Sequence, residues 1–203
     1  YYIDVTKKGE YNTLVAMNDN TFETDFFIVK FDMEKGAITS LVDKRSKAEY
    51  VKKGGELNKL RVFLEDKKGG MKSWTLNKIV KEEDVTNVES VKVIERGPVR
   101  VCVETVKTWG KSRFIERTYL YKSYPRIDYD MEVHWLETGS DSTDSPMLRA
   151  LFPINLNNTK FYSHVPFDVV ERPVDGKING QDAPPYLKSQ SRTYGVLPEE
   201  NDG

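Results

Sequence analysis

Arg126-Ile127-Asp128-Tyr129-Asp130-Met131-Glu132-Val133-His134-Trp135 puts an apolar or aromatic side chain at every odd position and a polar one at every even position. Side chains along a β-strand point to opposite faces in turn. This alternation therefore predicts a strand with one face on a core and the other in water. Lys111 to Tyr121 reads as a second long strand, joined to the first through a Tyr124-Pro125 turn. Val99 to Trp109 reads as a third and is closed by Gly110-Lys111. Residues 99–135 thus form an antiparallel meander.

The pattern extends outward in both directions. Asp25 to Asp32 and Ala37 to Val42 flank the turn Glu34-Lys35-Gly36 and read as a hairpin. Leu57 to Leu64 and Ser73 to Val80 are divided by Lys67-Lys68-Gly69-Gly70, and Val88 to Glu95 runs into the turn dipeptide Gly97-Pro98. Met147 to Asn155 and Lys160 to His164 are shorter candidates. From Glu171 onward, recurrent Pro and Gly predict a connection, loop-rich over 174–203.

Composition agrees with strands. There are 5 Ala against 21 Val, and Val, Ile, Thr, Phe, Tyr and Trp together make 67 of the 203 residues. Such side chains suit a pleated surface, whereas a helical domain draws on Ala and Leu. The expected fold is all-β. With more strands than the seven of a small sandwich, it is expected to be a large antiparallel two-sheet sandwich. The length suits one domain, residues 1–203. Tyr1 at one end and a polar Leu197-to-Gly203 run at the other read as an excised piece of a longer protein.

Charge narrows the partners. Lys and Arg number 31 against 32 Asp and Glu, a formal net charge of −1. That balance argues against nucleic acid or a membrane surface as partner, and no window is apolar enough for a transmembrane helix. Cys102 is the sole cysteine, so an internal disulfide and a thiolate zinc site are both excluded. Its setting, Val101-Cys102-Val103, reads as a small buried apolar position, and the cysteine usage fits a cytoplasmic protein.

Chemistry-bearing residues are few. Asp128, Asp130 and Glu132 share one strand face at steps of about 6.6 Å, a spacing that suits paired acids or a hard metal. The plain reading is a wet face neutralised by Arg113, Arg117 or Arg126. His134 and His164, with Asp130 or Asp168, lack the spacing of a ligand set and read as surface imidazoles. No G-x-S-x-G turn occurs, and Cys102 lacks a basic neighbour to activate it. Gly54-Gly55 and Gly69-Gly70 read as turns rather than phosphate cradles. Trp74, Trp109 and Trp135 suit stacking on sugars, but alternation predicts burial for two of them. Asn157-Asn158-Thr159 is a glycosylation triplet that matters only in a secreted protein.

Arg172 has the most unusual setting, in Pro166-Phe167-Asp168-Val169-Val170-Glu171-Arg172-Pro173. A proline-bracketed loop carrying a forked cation is suited to reach a polar site on another domain. The plain alternative pairs Arg172 with Glu171 or Asp168. No residue of the chain is expected to be catalytic or to hold a metal.

Six segments in order resemble the C-terminal region of the glycoside hydrolase family 38 α-mannosidases. They are Lys35-Gly36-Ala37-Ile38-Thr39-Ser40-Leu41-Val42-Asp43-Lys44; Glu95-Arg96-Gly97-Pro98-Val99-Arg100-Val101; Tyr119-Leu120-Tyr121 with Pro125-Arg126-Ile127-Asp128; Val133-His134-Trp135; Leu148-Arg149-Ala150-Leu151-Phe152-Pro153; and Pro166-Phe167 to Glu171-Arg172-Pro173. In the last, Asp168 stands where the family pattern has Gly.

The resemblance implies a galactose-mutarotase-like supersandwich packed behind an N-terminal α/β barrel. It implies a retaining hydrolase of terminal α-linked mannose, with zinc and the nucleophilic Asp in the barrel, and mannose-containing glycans as ligands. No segment here resembles that barrel, so no catalytic residue carries over. Arg172 is the one position nominated for the sugar site. Two rival readings stand beside this one. The first is a free-standing carbohydrate-binding module. The second is a mutarotase-like epimerase using His134 with Glu132 or Asp130. Whether the protein is a homo-oligomer stays open.

Overall fold

The computed structural model describes residues 15–18, 20–68, 76, 78–156, 160–172, 177–178 and 181–182, with backbone alone for 15–18, Arg172, 177–178 and 181–182. The first strands are β1 (Val15–Asn18), β2 (Thr21–Glu23), β3 (Phe27–Asp32), β4 (Ala37–Asp43), β5 (Lys59–Glu65) and β6 (Ile79–Asp84). The long central strands are β7 (Asn87–Arg96), β8 (Arg100–Trp109), β9 (Ser112–Tyr121) and β10 (Ile127–His134). They are followed by β11 (Ser145–Leu151), β12 (Phe161–Val165), β13 (Asp168–Arg172), β14 (Lys177–Ile178) and β15 (Gln181–Asp182).

The expected meander is one layer of the fold, a four-stranded antiparallel sheet in the order β10-β9-β8-β7. Its inner face presents Val101 opposite Leu120, Val103 opposite Thr118, Thr105 opposite Glu116, and Lys107 opposite Phe114. The other layer is two sheets, the meander β1-β2-β3-β4 and a three-stranded sheet β11-β5-β6 in which β11 returns to pair with β5. The bridge between Ile38 and Leu57 connects β4 with the approach to β5. The expected second sheet is therefore split rather than continuous.

Each half of that layer makes its own core with the long sheet. Phe22, Val29, Phe31, Ile38 and Leu41 pack with Val101, Val103 and Leu120. Leu60, Val62 and Val85 pack with Phe114, flanked by Trp109, Met131 and Trp135. Burying a side chain of this size is worth about 1.5–3 kcal/mol, so these clusters are what hold the layers together. Among the polar positions buried in the core are Asn58, Thr105, Lys107, Glu116 and Thr118. The Gly36 turn closes tightly onto this region. Its φ is +62°, and a Cβ there would lie 2.2 Å from Thr105 Cγ2.

Two expectations need correction. The strand foreseen over Ser73 to Val80 is found at Ile79–Asp84, and residues 69–75 and 77 lie outside the described residues. β6 is highly charged because its acids pair across the sheet: Arg61 Nη1 meets Glu82 Oε2 at 3.0 Å and Lys59 Nζ meets Asp84 Oδ2 at 2.7 Å. The expected Pro166–Pro173 loop is instead a hairpin, with β13 paired antiparallel to β12 from Asp168 to Arg172. The 174–203 stretch, expected to be loop-rich, contains the short paired strands β14 and β15.

Candidate functional site

The acidic row of β10 is a wet sheet face, and its charges are engaged. Asp128 is bound by Arg126 Nε and accepts a hydrogen bond from Tyr121 Oη at 2.8 Å. Arg126 and then Tyr121 hold its carboxyl below the usual range. Arg117 bonds Glu104 at 3.0 Å and reaches Asp130 at 3.7 Å. Glu132 meets His134 Nε2 at 2.9 Å. Arg113, expected in this row, pairs with Glu89 at 3.1 Å instead.

Cys102 is fully buried, but on this outer face rather than in the core between layers. Its β9 neighbour is Tyr119, and the Arg100 guanidinium lies 4.6 Å over the Tyr119 ring. Burial pushes the thiol pKa up, the opposite of what a nucleophile needs. The histidines do not form a ligand set. His134 is taken by Glu132, and His164 is exposed on β12. Among the described residues, no three His, Cys, Asp or Glu side chains gather as metal donors.

Trp109 and Trp135 stack at 6.0 Å and 8° beside Phe114. Trp109 Nε1 donates to Glu83 Oε2 at 2.9 Å. They serve packing rather than offering a sugar platform. At Gly54-Gly55 the chain makes a tight turn, with Gly54 at φ 75° and Gly55 N–H donating to the Lys52 carbonyl at 2.6 Å. Trp74, Gly69-Gly70 and Asn157-Asn158-Thr159 fall outside the described residues.

Arg172 closes β13 opposite Phe161. Pro166 and Phe167 make the two-residue turn of its hairpin, and Phe167 has φ 70° with its ring wholly in solvent. Proline before a residue of positive φ is the pattern of a type II turn, where glycine normally takes the second place. Glu171, named above as a partner for Arg172, is held by Lys160 Nζ at 3.0 Å and by Tyr162 Oη at 3.0 Å. Those two contacts keep its carboxyl below the usual range.

One feature escaped the sequence reading. A cleft of about 380 Å³ opens beside β10, lined by Phe27, Leu41, Tyr50, Tyr129, Phe152 and Ile154 among others. The Tyr129 ring meets Phe152 edge-on at 5.6 Å. Its hydroxyl is buried without a hydrogen-bond partner among the described residues, and burial raises the phenol pKa, with the Glu116 charge adding to it. The signal was the alternation Phe152, Ile154, Leu156 after a strand end. Its described lining is apolar and aromatic, which suits it to apolar groups.

Residues 22–190 match the model of the Glycosyl hydrolases family 38 C-terminal domain. The chain belongs to that family. The match begins in β2 and extends past β15, so it takes in both layers of the sandwich. As a family 38 C-terminal domain, it has its place in a parent glycoside hydrolase beside an N-terminal catalytic domain. No curated protein matches the chain.

Proposed function

We propose that this chain is the sandwich domain of a retaining α-mannosidase acting on terminal α-linked mannose, supporting the catalytic barrel, walling its sugar site and cleaving nothing alone. The observation that carries the reading is the family 38 C-terminal match over residues 22–190. The side chains agree with it. Retaining hydrolysis uses two carboxyl groups about 5–5.5 Å apart across the sugar, one of them able to hold its proton. Glu116 has the raised pKa of such an acid, but it is enclosed beside Lys107 where no sugar reaches. Asp128 is paired with Arg126, Asp130 lies 3.7 Å from Arg117 and Glu132 meets His134, all on an open face.

In this reading acid, nucleophile and zinc would all come from the barrel. This chain contributes position. The Arg172 guanidinium, carried at the end of a paired strand, donates hydrogen bonds to sugar hydroxyls and fixes their orientation. In the full-length parent enzyme, Arg172→Ala should lower kcat/KM for an aryl α-mannoside while the fold is kept; unchanged kinetics remove Arg172 from the site. The 203-residue chain alone should show no turnover. Turnover by it would overturn the reading.

A further inference from the structure

Strand edges of a sandwich normally carry features that stop other chains from pairing with them: bulges, Lys or Pro, short length, or a covering segment. The edges of the three main sheets can be compared on that basis. β7 has two register shifts and Lys92. β4 is covered through bridges to Glu49 and Leu57. β11 contains Pro146 and Arg149, β6 contains Lys81, and β1 is four residues long with a register shift. β10 differs. It pairs with β9 over eight consecutive residues without a shift and contains no Lys, Arg or Pro. Among the described strands it has no partner on its other side.

Both faces of this open edge carry chemical information. On the inner side, Ile127 and Tyr129 line the apolar cleft with Phe152, Ile154 and Leu156. Val133 and, just beyond the strand, Leu136 are exposed. On the outer side, Asp128 has a full counter-ion, but Asp130 shares Arg117 with Glu104 at 3.7 Å, and Glu132 has only His134. The outer side is therefore net acidic. Two copies of β10 paired about a twofold axis would set these acid rows against each other, which disfavours self-pairing.

We propose that the free edge of β10 is a docking site for an extended polypeptide segment that adds as a strand, with apolar residues over the cleft and Lys or Arg between them facing Asp130 and Glu132. Main-chain hydrogen bonds provide the pairing, the cleft takes alternate side chains, and the acid row selects for positive charge. The inference rests on edge geometry and charge, independent of any role in sugar cleavage.

The test uses the 203-residue chain and three capped octapeptides: alternating Val and Lys, alternating Val and Glu, and the Val–Lys peptide with a central proline. Amide hydrogen exchange by NMR reads protection along β10. The Val–Lys peptide should protect alternate β10 amides with salt-sensitive affinity, while the Val–Glu and proline peptides bind at least tenfold more weakly. Asp130→Lys/Glu132→Lys, at two exposed positions, should reverse the charge preference. Equal affinity for the first two peptides, protection elsewhere than β10, or concentration-dependent self-association through β10 overturns the proposal. The wild-type comparison of peptides decides the matter even if the double variant fails to fold.

Discussion

Lys107 Nζ lies 3.2 Å from Glu116 Oε2, with the two side chains only 3% and 5% exposed. Asn58 Nδ2 donates to the other Glu116 oxygen at 2.7 Å. An ion pair thus sits on the inner face of the long sheet, in register between Val103 and Trp109 on β8 and between Phe114 and Thr118 on β9. Water is largely excluded, so each charge depends on the other. A pair so enclosed adds little net stability, yet removing one member leaves the other charge without compensation.

Lys107→Met should therefore cost about 3–5 kcal/mol at pH 7. The double variant Lys107→Met/Glu116→Gln keeps an oxygen for Asn58 and has no stranded charge, so it should recover most of that loss. Urea unfolding of the three proteins measures the coupling. Equal losses in the single and double variants would show that the two charges do not depend on each other.

The same pair gives a pH dependence. Burial pushes the Glu116 carboxyl up, and the Lys107 charge only partly offsets it. The folded chain therefore holds this proton more tightly than the unfolded chain, whose Glu titrates near about 4.3. The resulting stabilisation is complete below that value and is lost as pH rises through the folded value. Wild type should lose stability relative to Glu116→Gln as pH rises above about 4.3, with a slope of at most about 1.4 kcal/mol per pH unit. Urea titrations at three pH values read this difference directly. A rising difference would mean that Lys107 outweighs burial and holds Glu116 ionised.

What could be read in the sequence was whatever rests on local periodicity. β10 lies one-sided at the edge of a sheet, so Ile127 to His134 alternates cleanly, and its place in the meander followed. β6 gave no such signal, because its acids are balanced by Arg61 and Lys59 from a strand some twenty residues earlier. β13 gave no clear strand signal because Pro166 precedes it, and that proline sits in the turn of a hairpin rather than forbidding one. That Arg126 and Arg117 sit among the acids of this row was legible from residue types, but the choice of Glu89 over the row by Arg113 was not. Nor did the sequence show that Lys107 and Glu116 face inward: that depends on register between strands.

Gly36 makes the packing of the two layers testable. Its positive φ costs a residue with a Cβ roughly 1–2 kcal/mol, and the crowding against Thr105 adds about 1–3 kcal/mol. Gly36→Ala should lose both parts, while Gly36→Ala/Thr105→Ala should recover the crowding part and retain the backbone part. Thermal or urea unfolding separates them. If the double variant is no better than the sum of the singles, the turn does not rest on Thr105.

Cys102 tests how well the outer face of the long sheet seals itself. Its thiol is fully buried beside Tyr119, and burial raises its pKa, so both access and ionisation suppress alkylation. Iodoacetamide labelling of the native chain should run at least about 10³-fold slower than in urea, as expected when reaction waits for an opening that costs about 4 kcal/mol. Tyr119→Ala removes a flanking ring and should speed native labelling more than it speeds unfolding, because the thiol is then reached without opening the sheet. If labelling in that variant accelerates only in step with unfolding, the cover over Cys102 comes from the sheet as a whole rather than from Tyr119.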